Sequence, residues 1–244
     1  MTLRLSLLAL AALFTAGCGA RPDAPAPPDT LTEAERAEGW RLLFDGATTN
    51  GWRGYNRPDF PADRWTVEAG TLASLPSDTS TAPANLVTED VFENFELRFD
   101  FKVSPGGNSG VFYLVREQPG MAMWEVAPEY QVLDDSAYLA RGTMDMRKHL
   151  TGDNYDLHAS SVRANRPAGA WNEGRIIVRD GRVEHWLNGQ RTVAYELWSP
   201  EWEALVARSK FADHPAYGQA HEGHIGLQDH GSRIWFRNVK IRSF

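Results

Sequence analysis

One segment restricts the fold more than any other. In Phe95–Val103 the side chains Phe95, Leu97, Phe99, Phe101 and Val103 alternate with Glu96, Arg98, Asp100 and Lys102. Strict period-two alternation over nine residues describes a strand with one face in a core and one in water, the signature of an antiparallel sheet. Shorter segments repeat the pattern. Arg41 to Phe44 reads as a strand ending at Asp45-Gly46, and Trp65 to Glu68 with Thr71 to Ser74 flank Ala69-Gly70 as a hairpin. Gly110 to Val115 and Tyr130 to Leu133 follow Gly- and Pro-rich loops. Arg175 to Val178, Arg182 to Leu187 and Arg191 to Tyr195 are joined by Asp180-Gly181 and Asn188-Gly189, two-residue turns that accept positive φ and match strand twist. Ile225 to Gln228 and Ile234 to Ile241 close the chain. The apolar register of the last strand slips between Phe236 and Val239, which predicts a bulge near Asn238.

Helix signals are few. Thr32-Glu33-Ala34-Glu35 opens a short helix stopped at Gly39. Ser199 and Pro200 open a second, with Glu201 and Glu203 at its positive end and Arg208 and Lys210 assigned to its negative end. About ten strands with hairpin connections and one or two short helices predict an all-β, two-sheet antiparallel jelly-roll sandwich.

The N-terminus reads as an address rather than as fold. Arg4 precedes a largely apolar run from Leu5 to Phe14, which falls short of the roughly 20 residues that span a bilayer. Thr15-Ala16-Gly17-Cys18 resembles a bacterial lipobox, with Thr15 where Leu is usual. Cys18 is the only cysteine, so no intrachain disulfide can form, and lipidation would protect an otherwise exposed thiol. The expected organisation is a signal peptide over 1–17, a lipidated Cys18 with a proline-rich tether over 18–30, and a single domain over 31–244. Gly19 is not the Asp that commonly retains lipoproteins in the inner membrane, which favours the outer membrane, facing the periplasm or the cell surface.

A net charge of −7 with no basic run argues against a nucleic-acid surface, which needs clustered Lys and Arg to displace counterions. Nine Trp suit either a sandwich core or platforms for sugar rings. Gly106 to Gly110 leads into a strand rather than a helix, so an inter-strand turn is expected in place of a phosphate cradle. Glu125 and Glu129, four apart, would share a face on a strand and resemble the acid and nucleophile of a retaining glucanase. Ala127 and Pro128 between them depart from that pattern. Glu129 stands out alone, because the apolar strand beside it would bury it and raise its pKa. His214, His221, His224 and His230 leave a divalent metal as a secondary expectation, without HExxH or a partner cysteine. No other cofactor site is evident.

The segments GGNSGVFYLV, PEYQVLDD, WNEGRIIVRDGRVEHWLNGQ, SKF and GHIGLQDHGSRIWFRNVKIR occur in this order. Together they resemble the 3-keto-disaccharide hydrolase domain family over roughly Gly39 to Phe244. The resemblance implies a concanavalin A-like sandwich, export, and cleavage of glycosides already oxidised to a ketone at sugar C3. It also implies an oxidoreductase that supplies the ketone. Glu129 and His230 are the acid/base candidates it suggests, with Lys210 as a cation for the enolate. Asn108, Gln131, Asp134 and Gln228 are candidate hydroxyl binders, Trp186 a candidate ring platform and Arg116 a further binding candidate. A non-catalytic sugar-binding module of the same fold and a conventional glucanase using Glu125 and Glu129 are the competing readings.

Overall fold

The computed structural model describes residues 27–78 and 83–244. The leader, Cys18 and most of the proline-rich segment lie outside the described residues. In chain order the strands are β1 (Arg41–Leu42), β2 (Trp52–Gly54), β3 (Trp65–Glu68), β4 (Thr71–Ser74), β5 (Leu86–Thr88), β6 (Phe95–Val103), β7 (Asn108–Val115), β8 (Glu129–Leu133), β9 (Asn172–Arg179), β10 (Arg182–Leu187), β11 (Gln190–Glu196), β12 (His224–Leu227) and β13 (Ile234–Ser243). The helices are α1 (Glu33–Ala37), α2 (Asp135–Arg141) and α3 (Pro200–Val206), and Met123–Glu125 forms a 3-10 turn.

An eight-stranded sheet runs β11-β10-β9-β6-β13-β4-β3, with β1 beside the far half of β13. A five-stranded sheet runs β2-β5-β12-β7-β8. This is the two-sheet antiparallel sandwich that the alternation predicts. The apolar side chains of β6 are all at most 1% exposed, and they meet Val111, Tyr113, Tyr130, Val132, Ile225 and Leu227 from the smaller sheet. Phe99 meets Tyr130 edge-on at 5.4 Å, and Phe101 does so at 6.5 Å.

Local signals are realised where turn chemistry is explicit. Asp180-Gly181 and Asn188-Gly189 both hold two successive positive φ angles, the geometry of the primed hairpin turn. The register of β13 shifts between Arg237 and Lys240, and Asn238 sits at φ 51°. Its backbone N–H donates to Asp29 Oδ1 and its side-chain amide donates to Asp100 Oδ2. Asp29 donates back to Asn238 Oδ1, so the tail of the expected tether is already pinned to the domain.

Three elements go beyond the sequence reading. β2 and β5 are three-residue strands, too short for periodicity to register. α2 makes a third helix: Asp134 caps it by accepting from the Ala137 N–H, and Gly142 ends it at φ 61°. α3 is capped by Ser199 as expected but stops at Val206, so Arg208 and Lys210 lie beyond it rather than in its last turn.

Phe99 reaches Tyr130 only because its ring lies over Gly174, the residue opposite it on β9. A Cβ on Gly174 would stand 2.3 Å from two ring carbons of Phe99. Gly174→Ala is expected to lower unfolding stability by about 2 kcal/mol, the usual scale of overpacking in a filled core. Denaturant unfolding of the variant beside the wild type measures this.

Candidate active site

The site forms on the outer face of the smaller sheet, the face turned away from the core. Along β8, Tyr130 and Val132 point inward, so Glu129 and Gln131 point outward. Gly110 on β7 lies directly opposite Gln131, and its carbonyl accepts the Gln228 N–H at 2.9 Å. Asn108, Gln131 and Gln228 therefore surround a position with no side chain. The Glu129 carboxyl fills that gap, since a Cβ on Gly110 would lie 2.1 Å from Glu129 Oε1.

A cavity of about 260 Å³ opens here. Six residues singled out in the sequence line it together: Asn108, Glu129, Gln131, Lys210, Gln228 and His230. Asn85, Trp124, Tyr155 and Asp229 also line it, and sequence reasoning missed all four. Asn85 arrives through the pairing of β5 with β12, Trp124 on the 3-10 turn, and Tyr155 on a loop whose N–H donates to the Glu129 carbonyl. The one available signal was Asp229, which directly precedes His230.

Glu129 is 6% exposed. Burial pushes its carboxyl up to about 8 from the usual 4.5, against the opposing pull of the Lys210 charge. The Lys210 ammonium lies 4.2, 4.9 and 5.1 Å from the ring centroids of Tyr155, Trp124 and Phe211. Desolvation lowers its pKa, while Glu129 and Asp156 oppose the shift. The Lys210 backbone is fixed in turn, its N–H donating to Asp156 Oδ2 at 3.1 Å. Tyr155 is raised to about 12, by burial first and then by the Glu129 charge.

His230 stands exposed at the rim on a loop that Asp229 fastens. Asp229 Oδ2 accepts from Arg64 at 2.6 Å and from the Ala84 N–H at 3.0 Å, and Oδ1 accepts from the Gly231 N–H. Its carboxylate is thus committed to holding two loops together at the mouth of the cavity.

With this geometry in view, comparison with known proteins is decisive. Residues 39–242 match the family model of the 3-keto-alpha-glucoside-1,2-lyase-like domain. The chain belongs to that family. A 3-keto-disaccharide hydrolase of Bacteroides thetaiotaomicron is 35% identical over 237 residues, covering 88% of this chain and 81% of the relative. Two crystal structures of candidate glycosyl hydrolases from Parabacteroides distasonis superpose well. One has a TM-score of 0.80 at 35% identity, covering 89% of this chain and all of that one. The other has a TM-score of 0.65 at 25% identity, covering 84% and 99%.

Three residues carried over from the family resemblance lie elsewhere in the structure. Asp134 is spent on backbone, accepting from Gly106 and capping α2. Trp186 points to the outer face of the larger sheet, where its indole N–H donates to Glu184 and Arg175 stacks on its ring. Arg116 is solvent-exposed and pairs with Glu222 at 3.6 Å. Glu125, the other half of the glucanase pair, sits on the 3-10 turn and not on a strand. Its carboxylate accepts from the Ala122 N–H and lies beside His214, away from the lining of the cavity.

The four late histidines also diverge. His214 packs edge-on against Trp124, His221 stacks on Trp198 at 3.7 Å, and His224 lies beside Arg53 and Glu117, leaving His230 alone at the cavity. Among the described residues no cluster of three or more His, Cys, Asp or Glu is arranged to hold a metal.

A carboxyl whose folded pKa exceeds its unfolded value keeps a proton that the unfolded chain has lost. Its contribution is therefore fully present below pH 4.5 and is lost as pH rises toward about 8. Glu129→Gln is expected to unfold later than the wild type above that range, by roughly 5 kcal/mol at most, with the difference vanishing in acid. Chemical denaturation across pH measures it. Gly110→Ala is expected to displace the Glu129 side chain and to abolish turnover while the β-rich circular dichroism spectrum persists.

Proposed function

We propose that this domain cleaves 3-keto-glycosides such as 3-keto-disaccharides, by proton abstraction at C2 followed by elimination and hydration. The observation that carries the reading is a buried carboxyl gripped by no guanidinium, that of Glu129, sharing a small cavity with the Lys210 ammonium. The substrate class is supported by family membership and by the activity named for the Bacteroides thetaiotaomicron relative.

A ketone at C3 acidifies the hydrogen on C2, because the electron pair left behind delocalises onto the carbonyl oxygen as an enolate. Glu129 takes that proton. Lys210 faces the cavity as the cation that balances the developing oxyanion. The enolate then re-forms the ketone, its electron pair making the C1–C2 double bond as the C1–O bond to the aglycone breaks. In this reading His230, at the rim, protonates the departing oxygen. Water adds to C1 of the resulting unsaturated ketone and C2 regains a proton, which completes a net hydrolysis. Asn108 and Gln228 present amides to the sugar hydroxyls, and Trp124 and Tyr155 supply flat apolar surface for the ring.

A conventional retaining mechanism needs two carboxyls flanking the bond at about 5–5.5 Å. Glu125 and Asp229 are both otherwise engaged, so among the described residues lining the cavity no second carboxyl is left to pair with Glu129. Elimination does not require it.

The reading also extends to where the enzyme works. The leader and Cys18 support an exported lipoprotein, with the outer membrane as the preferred site. The ketone substrate calls for a sugar oxidoreductase in the same compartment.

Incubation with a 3-keto disaccharide and with its unoxidised parent in D₂O tests the chemistry. Only the ketone should be cleaved, and the product should carry deuterium at C2. Cleavage of the parent alone, or a product without deuterium, would overturn the reading. With Glu129 as the base, kcat/KM should rise with pH through about 8. Glu129→Ala and His230→Ala should lose turnover yet still bind the keto sugar, an outcome that a pure binding module could not produce.

A further inference from the structure

One end of the Gln131 side-chain amide lies 3.0 Å from Glu129 Oε1 and 3.0 Å from the backbone carbonyl oxygen of Ser109, and hydrogen-bond satisfaction assigns the nitrogen to that end, the opposite assignment leaving it only a 3.4 Å contact to Asn108 Oδ1. A carbonyl can only accept, so Ser109 fixes which end of the amide is nitrogen. The second N–H is then obliged to point at the Glu129 carboxyl. Freedom to turn is small. Gln131 is 3% exposed, and its backbone is held on both sides, its N–H donating to the Asp153 carbonyl and its own carbonyl accepting from Gly152. Ser109 is held as well, since its hydroxyl donates to the Gln228 carbonyl and its backbone lies within the pairing of β7 with β8.

We propose that Gln131 is a positioning residue that holds Glu129 in its proton-accepting form, which assigns Glu129 the role of base rather than acid. An amide locked with its donor toward a carboxyl favours the carboxylate, because a protonated carboxyl turned the same way would meet N–H with O–H. Burial works in the opposite direction, so the proton affinity of Glu129 is set by a fixed donor competing with desolvation. Nothing in this depends on Gln131 touching the substrate. The proposal rests on the function given above, since "base" has meaning only for C2 abstraction, but the electrostatic part stands without it.

The test separates the two. The carboxyl of Glu129 is titrated by infrared difference spectroscopy in substrate-free protein, with Glu129→Gln identifying its band. Gln131→Met, which keeps length and removes the donor, should raise the titration midpoint by about one unit or more, the value of a hydrogen bond to a charged group. Gln131→Glu should raise it further by placing a second carboxyl alongside. With a 3-keto disaccharide as substrate, the acid limb of kcat/KM should move by the same amount in Gln131→Met, with kcat recovered at high pH. A Glu129 midpoint unchanged in both variants overturns the proposal. So does a Gln131→Met enzyme whose only defect is a raised KM at every pH, the result expected of a hydroxyl binder. If the midpoint moves but no keto sugar is cleaved, the positioning role stands and the functional reading falls.

Discussion

The site depends on how β8 is anchored from beneath. Tyr130 carries two edge-on contacts from Phe99 and Phe101, and its hydroxyl donates to the Trp186 carbonyl on β10. One ring thereby ties the smaller sheet to two strands of the larger one. In a strand, neighbours point to opposite faces, so fixing Tyr130 in the core fixes Glu129 and Gln131 on the other side. The aromatic packing that makes this a sandwich is thus also what holds the Glu129 carboxyl in place. Gly174 under Phe99 and Gly110 under Glu129 play matching parts, one letting the core close and the other letting a carboxyl lie flat on the sheet.

Two buried glutamates show how differently the same residue can be used. Glu96, 1% exposed on the outer face of the larger sheet, is gripped by Arg98, Arg175 and Arg242 at 2.6–2.8 Å. Burial alone would raise its pKa, but hydrogen bonds from Arg242 and Arg98 outweigh it and the carboxyl is held below its usual range. Such a group is a stable anion with no reason to take a proton. Glu129 is also buried but has no guanidinium, only the Lys210 charge and the Gln131 amide, and its pKa moves the other way. A base must be able both to accept and to release its proton near neutrality. Of the two, only Glu129 is placed to do so.

How much of this was readable in the sequence depended on whether the signal was local. The alternation in Phe95–Val103, the two Asx-Gly turns and the slipped register near Asn238 each reflect the chain's own geometry, and each appears in the structure where expected. The cluster at the cavity was recovered through segment resemblance, because Glu129, Lys210 and His230 sit on separate elements that only tertiary packing unites. Trp124 and Asn85 escaped for the same reason, their positions being set by a 3-10 turn and by pairing with a distant strand. The misplacements also have local causes. Asp134 is one residue past the end of a strand, where a side chain that caps a helix looks like one that binds a hydroxyl. Trp186 faces outward because its neighbours His185 and Leu187 are the inward pair on β10.

The chemistry of the substrate explains why so sparse a site suffices. Ordinary glycoside cleavage builds positive charge on the sugar, and the enzyme must answer with two carboxyls at a set separation. A ketone beside C2 inverts the charge that needs support, from an oxocarbenium to an enolate. The matching protein groups then become one base and one cation. The aromatic surround of Lys210 suits the second of these, because the ring faces attract the ammonium while keeping carboxylates from pairing with it directly. A tight ion pair between Lys210 and Glu129 would neutralise both charges together. Keeping them apart across a small cavity, with an amide beside Glu129 and aromatic rings around Lys210, is what the proposed division of roles requires.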